Sequence, residues 1–134
     1  MSSYDSMLEE AARFHGHLGP YLALGLKMGL LAKELLQGDP FSLSAEIHTS
    51  ILPPRSCMVD GIQFSSGCTL GKGNIIIKED SNLFGIFTRD SRSITIKVRP
   101  DIADSLTSLS HEHLEESAQS LFSKENEDLF EVVP

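Results

Sequence analysis

The chain has 134 residues, of which 40% are hydrophobic and 22% are charged, and its formal net charge at neutral pH is −8. This length suits one domain, and the composition excludes extended disorder, a collagen-like repeat and a cysteine-stapled secreted fold. The negative charge also argues against binding to nucleic acid or to an anionic membrane surface. The first ten residues show no signal-peptide pattern, so we expect a cytoplasmic protein.

Two helices are predicted at the N-terminus. Residues 5–14 have the apolar spacing of a short amphipathic helix. Pro20 then opens a second helix, which Gly38 is expected to end. Residues 18–36 have membrane length but contain three charged side chains, so a buried helix of a water-soluble core explains them better. Membrane insertion is therefore not expected.

Gly25 and Gly29 lie four residues apart on the second predicted helix. Residues at this spacing share one helix face, and glycine allows another backbone to come close. The partner helix could belong to the same subunit or to a second copy in a homodimer.

The rest of the chain alternates between strand-like and helix-like patterns. Strands are predicted at residues 43–50, 74–78, 83–89, 93–98 and 129–133, and helices at residues 58–66, 100–109 and 113–122. The turns at residues 80–82 and 90–92 predict that the three middle strands form an antiparallel meander. We therefore predict a single α+β domain over residues 1–134, with N-terminal helices packed on an antiparallel sheet and further helices near the C-terminus.

Two histidines flank a glycine just before the second helix, in the segment His15-Gly16-His17. The positive end of a helix dipole disfavours imidazolium and so favours the neutral, metal-binding form of histidine. A His-x-His pair alone is a weak metal signal, and one ring could instead cap the helix or face water.

Both cysteines lie in a second segment, Cys57 at the start of the predicted third helix and Cys68 just beyond its end. A helix N-terminus lowers a thiol pKa, so Cys57 is expected to ionise readily. Asp60, one turn later, is a candidate base or ligand-orienting group. Lys72 and Asn74, in the glycine-rich loop that follows, are candidates for binding a cofactor or an anionic group. Buried, unreactive cysteines remain the alternative.

A straight helix over residues 58–66 is about 13 Å long, which places the two thiols too far apart for one zinc ion or a disulfide. A mononuclear site with His17 and Cys57 is therefore favoured. Cys68 could join it through a bent helix or from a second subunit. His48 is a spare ligand candidate.

The segment from Phe14 to Pro20 and the segment from Cys57 to Asn74 resemble the formylmethanofuran dehydrogenase E-subunit family. The resemblance implies an α+β core, a homodimer, and zinc or another transition metal near His17 and Cys57. It also places Cys68 close to the same cleft, which gives His17, Cys57 and Cys68 as metal ligands. Many relatives have a cysteine in place of Gly19 and a C-terminal cysteine-rich zinc module. Here the chain is expected to lack that module.

Three functions stay open at this point. The first is a metal-dependent enzyme or enzyme subunit of one-carbon or redox metabolism, in which Cys57, Asp60 and Cys68 take part in catalysis on a small molecule. The second is a non-catalytic metal-carrying or assembly subunit of a larger oxidoreductase complex. The third is a thiol redox protein that uses its two cysteines, although their spacing differs from the compact Cys-x-x-Cys motif.

Overall fold

The computed structural model describes residues 3–39, 41–109 and 111–134. The helices are α1 (Ser3–His15), α2 (Pro20–Leu35), α3 (Cys57–Ser66), α4 (Pro100–Thr107), α5 (Leu114–Phe122) and α6 (Asn126–Leu129). The strands are β1 (Leu43–Thr49), β2 (Ile75–Glu79), β3 (Phe84–Arg89), β4 (Arg92–Val98) and β5 (Phe130–Val133). Helices and one five-stranded sheet together confirm the α+β class.

The sheet is mixed, and the predicted antiparallel meander is wrong in its first strand. The strand order is β2-β1-β3-β4-β5, in which β2 runs parallel to β1 and every other pair is antiparallel. The physical reason is that α3 connects β1 to β2, and a crossover helix is the usual connection between parallel neighbours. The turn after β2 therefore carries the chain past β1 to β3.

α2 forms the centre of the molecule. It packs against α1, α3 and α5, and Met28 on α2 lies beside Gly85 of β3. This burial explains why apolar residues occupy more than one face of α2. Pro20 stands at the first turn, as predicted, but the helix ends at Leu35 with Leu36 as its cap, rather than at Gly38. In the described residues, none of the helices combines the length and the apolar character that a membrane crossing requires.

Gly25 and Gly29 allow α2 and α3 to approach closely within one chain. A Cβ atom on Gly25 would overlap the carbonyl oxygen of Met58, and one on Gly29 would overlap the hydroxyl of Ser65. Gly61 faces them from α3, where a Cβ would overlap the carbonyl oxygen of Leu22. The glycine face of α2 is therefore covered by α3 of the same chain.

We expect Gly25→Ala to lower the free energy of unfolding by about 1–3 kcal/mol, as overpacking typically does. The loss should outweigh the better helix propensity of alanine, because the overlapping atom belongs to the backbone of Met58. Gly71→Ala is the matched control, since a Cβ there has no neighbour within 4 Å among the described atoms. Urea unfolding of both variants measures the difference. Equal stability of the two variants would contradict the close helix crossing.

Candidate metal centre

Three chain segments converge at one end of α2. α1 ends at His15, and Gly16 follows with a φ of 114°, a left-handed conformation that glycine adopts without strain. This turn places His17 just before α2. The close crossing of α2 and α3 brings Cys57, the first residue of α3, to the same place.

The structure gathers His15, His17 and Cys57 into one cluster. One potential ligand atom from each residue lies within 4.8 Å of the other two. The two imidazole rings have centroids 4.9 Å apart. Two imidazole nitrogens and one thiolate are ligands that zinc prefers, and a tetrahedral zinc site holds such atoms at about 2.0–2.3 Å from the metal. The donor set therefore fits a zinc ion after small movements of the side chains.

Asp60 fixes the orientation of His15. The Nδ1 atom of His15 lies 2.5 Å from Oδ2 of Asp60, so the protonated nitrogen donates a hydrogen bond to the carboxylate. The other ring nitrogen, Nε2, is buried and has no hydrogen-bond partner among the described residues. A histidine that donates through Nδ1 to a carboxylate presents Nε2 as the metal-binding atom. A bound metal would satisfy this otherwise unpaired nitrogen.

A short chain of hydrogen bonds supports Asp60 in turn. Nε2 of Gln63, one turn later on α3, donates to Oδ1 of Asp60 at 3.4 Å. Oε1 of the same Gln63 accepts a hydrogen bond from the backbone N–H of Leu70 at 2.9 Å. The loop after α3 therefore helps to position the carboxylate that contacts His15.

The pKa of the Cys57 thiol is higher than its position at a helix start predicts. Burial raises the pKa of Cys57, and the negative charge of Asp60 raises it further. The expectation of an acidic thiol is wrong because these two effects oppose ionisation at the helix start. In the absence of a metal, Cys57 is a neutral thiol at neutral pH.

The cluster lies on the wall of a cavity of about 410 Å³. Most of the remaining wall is apolar and comes from α2, α4, α5 and the segment just after α4. The described lining residues outside the cluster are Gly19, Pro20, Tyr21, Leu22, Pro54, Arg55, Leu106, Thr107, Leu109 and Leu114. A metal held here would face a space large enough for a small-molecule ligand.

A second cavity of about 450 Å³ lies around Lys27, between α2 and the segment after α5. None of the three cluster residues lines this second cavity. Its size alone therefore gives no reason to place the chemistry there, and the first cavity is the one lined by the three potential metal ligands.

Cys68 is not part of the cluster. It is fully buried in the core, its Sγ donates to the carbonyl oxygen of Leu43 at 3.5 Å, and its backbone N–H donates to Ser66. Burial raises the pKa of the Cys68 thiol, which the hydrogen bond from Ser66 and the charge of Lys72 oppose. Both cysteines are free thiols, and their surroundings differ.

Lys72 and Asn74 stabilise the loop after α3 and do not line the cavity beside the cluster. The Nζ of Lys72 donates to Oγ1 of Thr69 at 3.2 Å. Asn74 accepts a hydrogen bond from the backbone of Thr69 at 2.8 Å and donates to the carbonyl oxygen of Leu43 at 3.0 Å.

His48, the spare ligand candidate, lies in a different group on the sheet. Its Nε2 is 2.6 Å from Oε2 of Glu46, and its Nδ1 is 3.1 Å from Oδ2 of Asp80. Its ring also stacks on Phe84, with centroids 4.1 Å apart. These contacts account for His48 without a metal.

The sequence analysis did not name His15 among the candidate ligands, although the His-x-His pair contains it and the structure places it in the cluster. Sequence spacing alone does not show that His15 and Asp60, 45 residues apart, meet. The assignment also missed Tyr21 and Arg55, which line the cavity. Arg55 follows two prolines in an irregular segment, where no periodic pattern indicates the direction of a side chain.

We expect zinc affinity to rise with pH, because the neutral Cys57 thiol must release a proton when it binds the metal. Below the thiol pKa, each pH unit should change the apparent affinity by about tenfold, provided that both imidazoles stay neutral. A competition titration with a metal-binding dye at several pH values measures this slope. A flat profile would mean that the thiol is not a ligand.

The fold and the cluster define an α+β protein with a His/Cys site that could hold a metal ion. A family model described as "FmdE, Molybdenum formylmethanofuran dehydrogenase operon" matches residues 14–133. The match covers nearly the whole chain, and the chain belongs to this family.

A curated relative from Archaeoglobus fulgidus bears the name "Probable S-adenosyl-L-methionine-binding protein". It is 36% identical to this chain over 77 residues, which cover 56% of this chain and 21% of the relative. The chain thus spans about a fifth of the length of that relative. The similarity therefore concerns a segment of the larger protein.

Proposed function

We propose that this chain is a zinc-binding member of its family whose metal site serves a reaction of one-carbon or redox metabolism. The observation that carries the proposal is the position of His15, His17 and Cys57 on the wall of the 410 Å³ cavity. Three protein ligands beside an accessible space are typical of catalytic zinc, whereas structural zinc has four. Iron or another transition metal is the alternative occupant of the same ligands.

Each residue of the site has a distinct task in this proposal. His15 and His17 supply neutral imidazole nitrogens, and Cys57 supplies its sulfur after loss of the thiol proton. Asp60 keeps the proton on Nδ1 of His15 and so keeps Nε2 free for the metal. When bound, zinc would supply Lewis acidity for polarising a carbonyl or activating water. The apolar walls would exclude bulk water from the reacting group.

Elemental analysis of untagged protein prepared without chelators tests the metal site. We expect about one zinc per chain in the wild type, as for a mononuclear site, and a large loss in His17→Ala. His113→Ala is a matched control, because His113 is an exposed histidine whose described ionic contact is with Glu116. Absence of metal from the wild type, or equal metal content in the two variants, would overturn the proposal.

We further propose that the chain acts as a homodimer and docks on a larger oxidoreductase complex. The family description, which names a dehydrogenase operon, supports the complex. Exposed apolar side chains support a protein contact away from the metal site. Leu70 is 81% exposed and Phe41 is 76% exposed. Sedimentation velocity should give twice the chain mass of 14.7 kDa. A species of single-chain mass at every concentration would rule out the dimer. That result would leave the proposed metal site intact, because its three ligands belong to one chain.

A further inference from the structure

Arg55 brings a positive charge to the wall of the cavity that also contains the cluster of His15, His17 and Cys57. It is the one lysine or arginine among the described residues that line this cavity. Its Nη2 donates to the backbone carbonyl of Ser81 at 2.6 Å. This bond anchors the guanidinium but does not neutralise it.

The guanidinium of Arg55 keeps unused hydrogen-bonding capacity. Its Nε is buried without a hydrogen-bond partner among the described residues. No described carboxylate forms an ion pair with it. A buried donor without an acceptor costs free energy. The unpaired Nε therefore points to an anionic ligand.

Tyr21 provides a second donor on the same wall. Its side chain is almost fully buried and lines the cavity. Burial raises the pKa of Tyr21, against the opposing effect of the Arg55 charge, so the phenol stays protonated and able to donate. Tyr21 and Arg55 line the same cavity.

The other walls define the body of the ligand. Leu22, Leu106, Leu109 and Leu114 surround the space with aliphatic surface. One positive charge beside an aliphatic wall suits a monoanion with an apolar chain, because a phosphate dianion calls for more cationic groups.

We propose that Arg55 and Tyr21 form an anion-binding subsite next to the cluster. This subsite selects carboxylates that carry an aliphatic chain. This inference rests on the proposed metal function and deepens it by naming the class of ligand. The guanidinium would bind the carboxylate, the phenol would donate to the same group, and the leucines would hold the chain. The distal part of the ligand would then lie against His17 and Cys57.

Calorimetric titration with hexanoate and its neutral analogue hexanamide tests the subsite. The titrations use chelator-treated protein, so that a carboxylate cannot bind through the metal. We expect hexanoate to bind the wild type at least about tenfold more tightly than hexanamide, given the strength of charge-assisted hydrogen bonds. Equal affinities, or no measurable hexanoate binding, would overturn the proposal without any variant.

Variants then test which residues cause the preference for hexanoate over hexanamide. Arg55→Gln should abolish the preference for hexanoate, and Tyr21→Phe should weaken hexanoate binding about fivefold. Arg92→Gln is the matched control, because Arg92 also donates to a backbone carbonyl, that of Leu35, but lies outside the cavity. Preference retained in Arg55→Gln, or lost equally in Arg92→Gln, would overturn the assignment.

The same proteins separate this inference from the proposed metal function. If the metal function fails and the subsite is correct, the wild type lacks zinc but still prefers hexanoate. If only the subsite is wrong, zinc content is normal and the preference is absent. Zinc content in Arg55→Gln should match the wild type, since Arg55 is not one of the clustered ligands.

Discussion

Replacing Cys57 with serine is expected to weaken zinc binding at least about a hundredfold, because loss of even an outer-sphere partner costs 10–100-fold. Cys57 contributes the sulfur atom of the cluster, and serine offers only a hard, weakly acidic hydroxyl. Competition titration against a metal-binding dye at neutral pH gives the affinity.

Cys68→Ser is the matched control for this prediction. Cys68 is also a buried free thiol, but it contacts Leu43 and Ser66 rather than the clustered histidines. We expect its replacement to reduce stability while leaving zinc affinity within about threefold, as for a group outside the metal's surroundings. Equal losses in the two serine variants would show that both cysteines belong to the site.

Asp60→Asn is expected to change two properties of the site in opposite directions. Zinc affinity should fall by about tenfold, the usual effect of losing an outer-sphere carboxylate behind a histidine. The metal-free Cys57 thiol should become more acidic, since the charge of Asp60 raises its pKa in the wild type. Iodoacetamide alkylation of metal-free protein reports the second change as a faster reaction at a fixed pH.

Asp104→Asn controls for the loss of one negative charge, because Asp104 is exposed on α4. It should leave both zinc affinity and thiol reactivity close to the wild-type values. The buried Cys68 distinguishes this effect from unfolding of Asp60→Asn. If the variant unfolded, both cysteines would react faster, whereas the electrostatic effect accelerates Cys57 alone. Slower alkylation of Cys57 in Asp60→Asn would contradict the electrostatic explanation.

Local patterns predicted most of the secondary structure, because each helix and strand has its own periodicity and end signals. Pro20, for example, stands at the start of α2, and α3 ends at Ser66, as expected. The pairing of β2 was not predicted correctly. Three consecutive isoleucines lack alternation, and the short turn after β2 suggested a hairpin with β3. The strand–helix–strand connection through α3 was the signal that favoured β1.

Only the site residues with a distinctive signal in their own sequence segment were predictable. His17 and Cys57 stood out by residue type and position at helix starts. The contact between His15 and Asp60 depends on the crossing of α2 and α3, which brings together segments 45 residues apart. The pKa of Cys57 likewise depends on burial that only the folded chain provides. Tertiary packing, rather than motif spacing, therefore selects the clustered residues.

Zinc K-edge X-ray absorption of the metal-loaded protein is the decisive test of the proposed centre, because it counts the atoms bound to the metal. We expect one sulfur at about 2.3 Å and two imidazole nitrogens at about 2.0–2.1 Å, with the remaining position filled by a light atom. The sulfur contribution should vanish in Cys57→Ser and persist in Cys68→Ser. Two sulfurs in the wild type, or none, would contradict a site built from His15, His17 and Cys57.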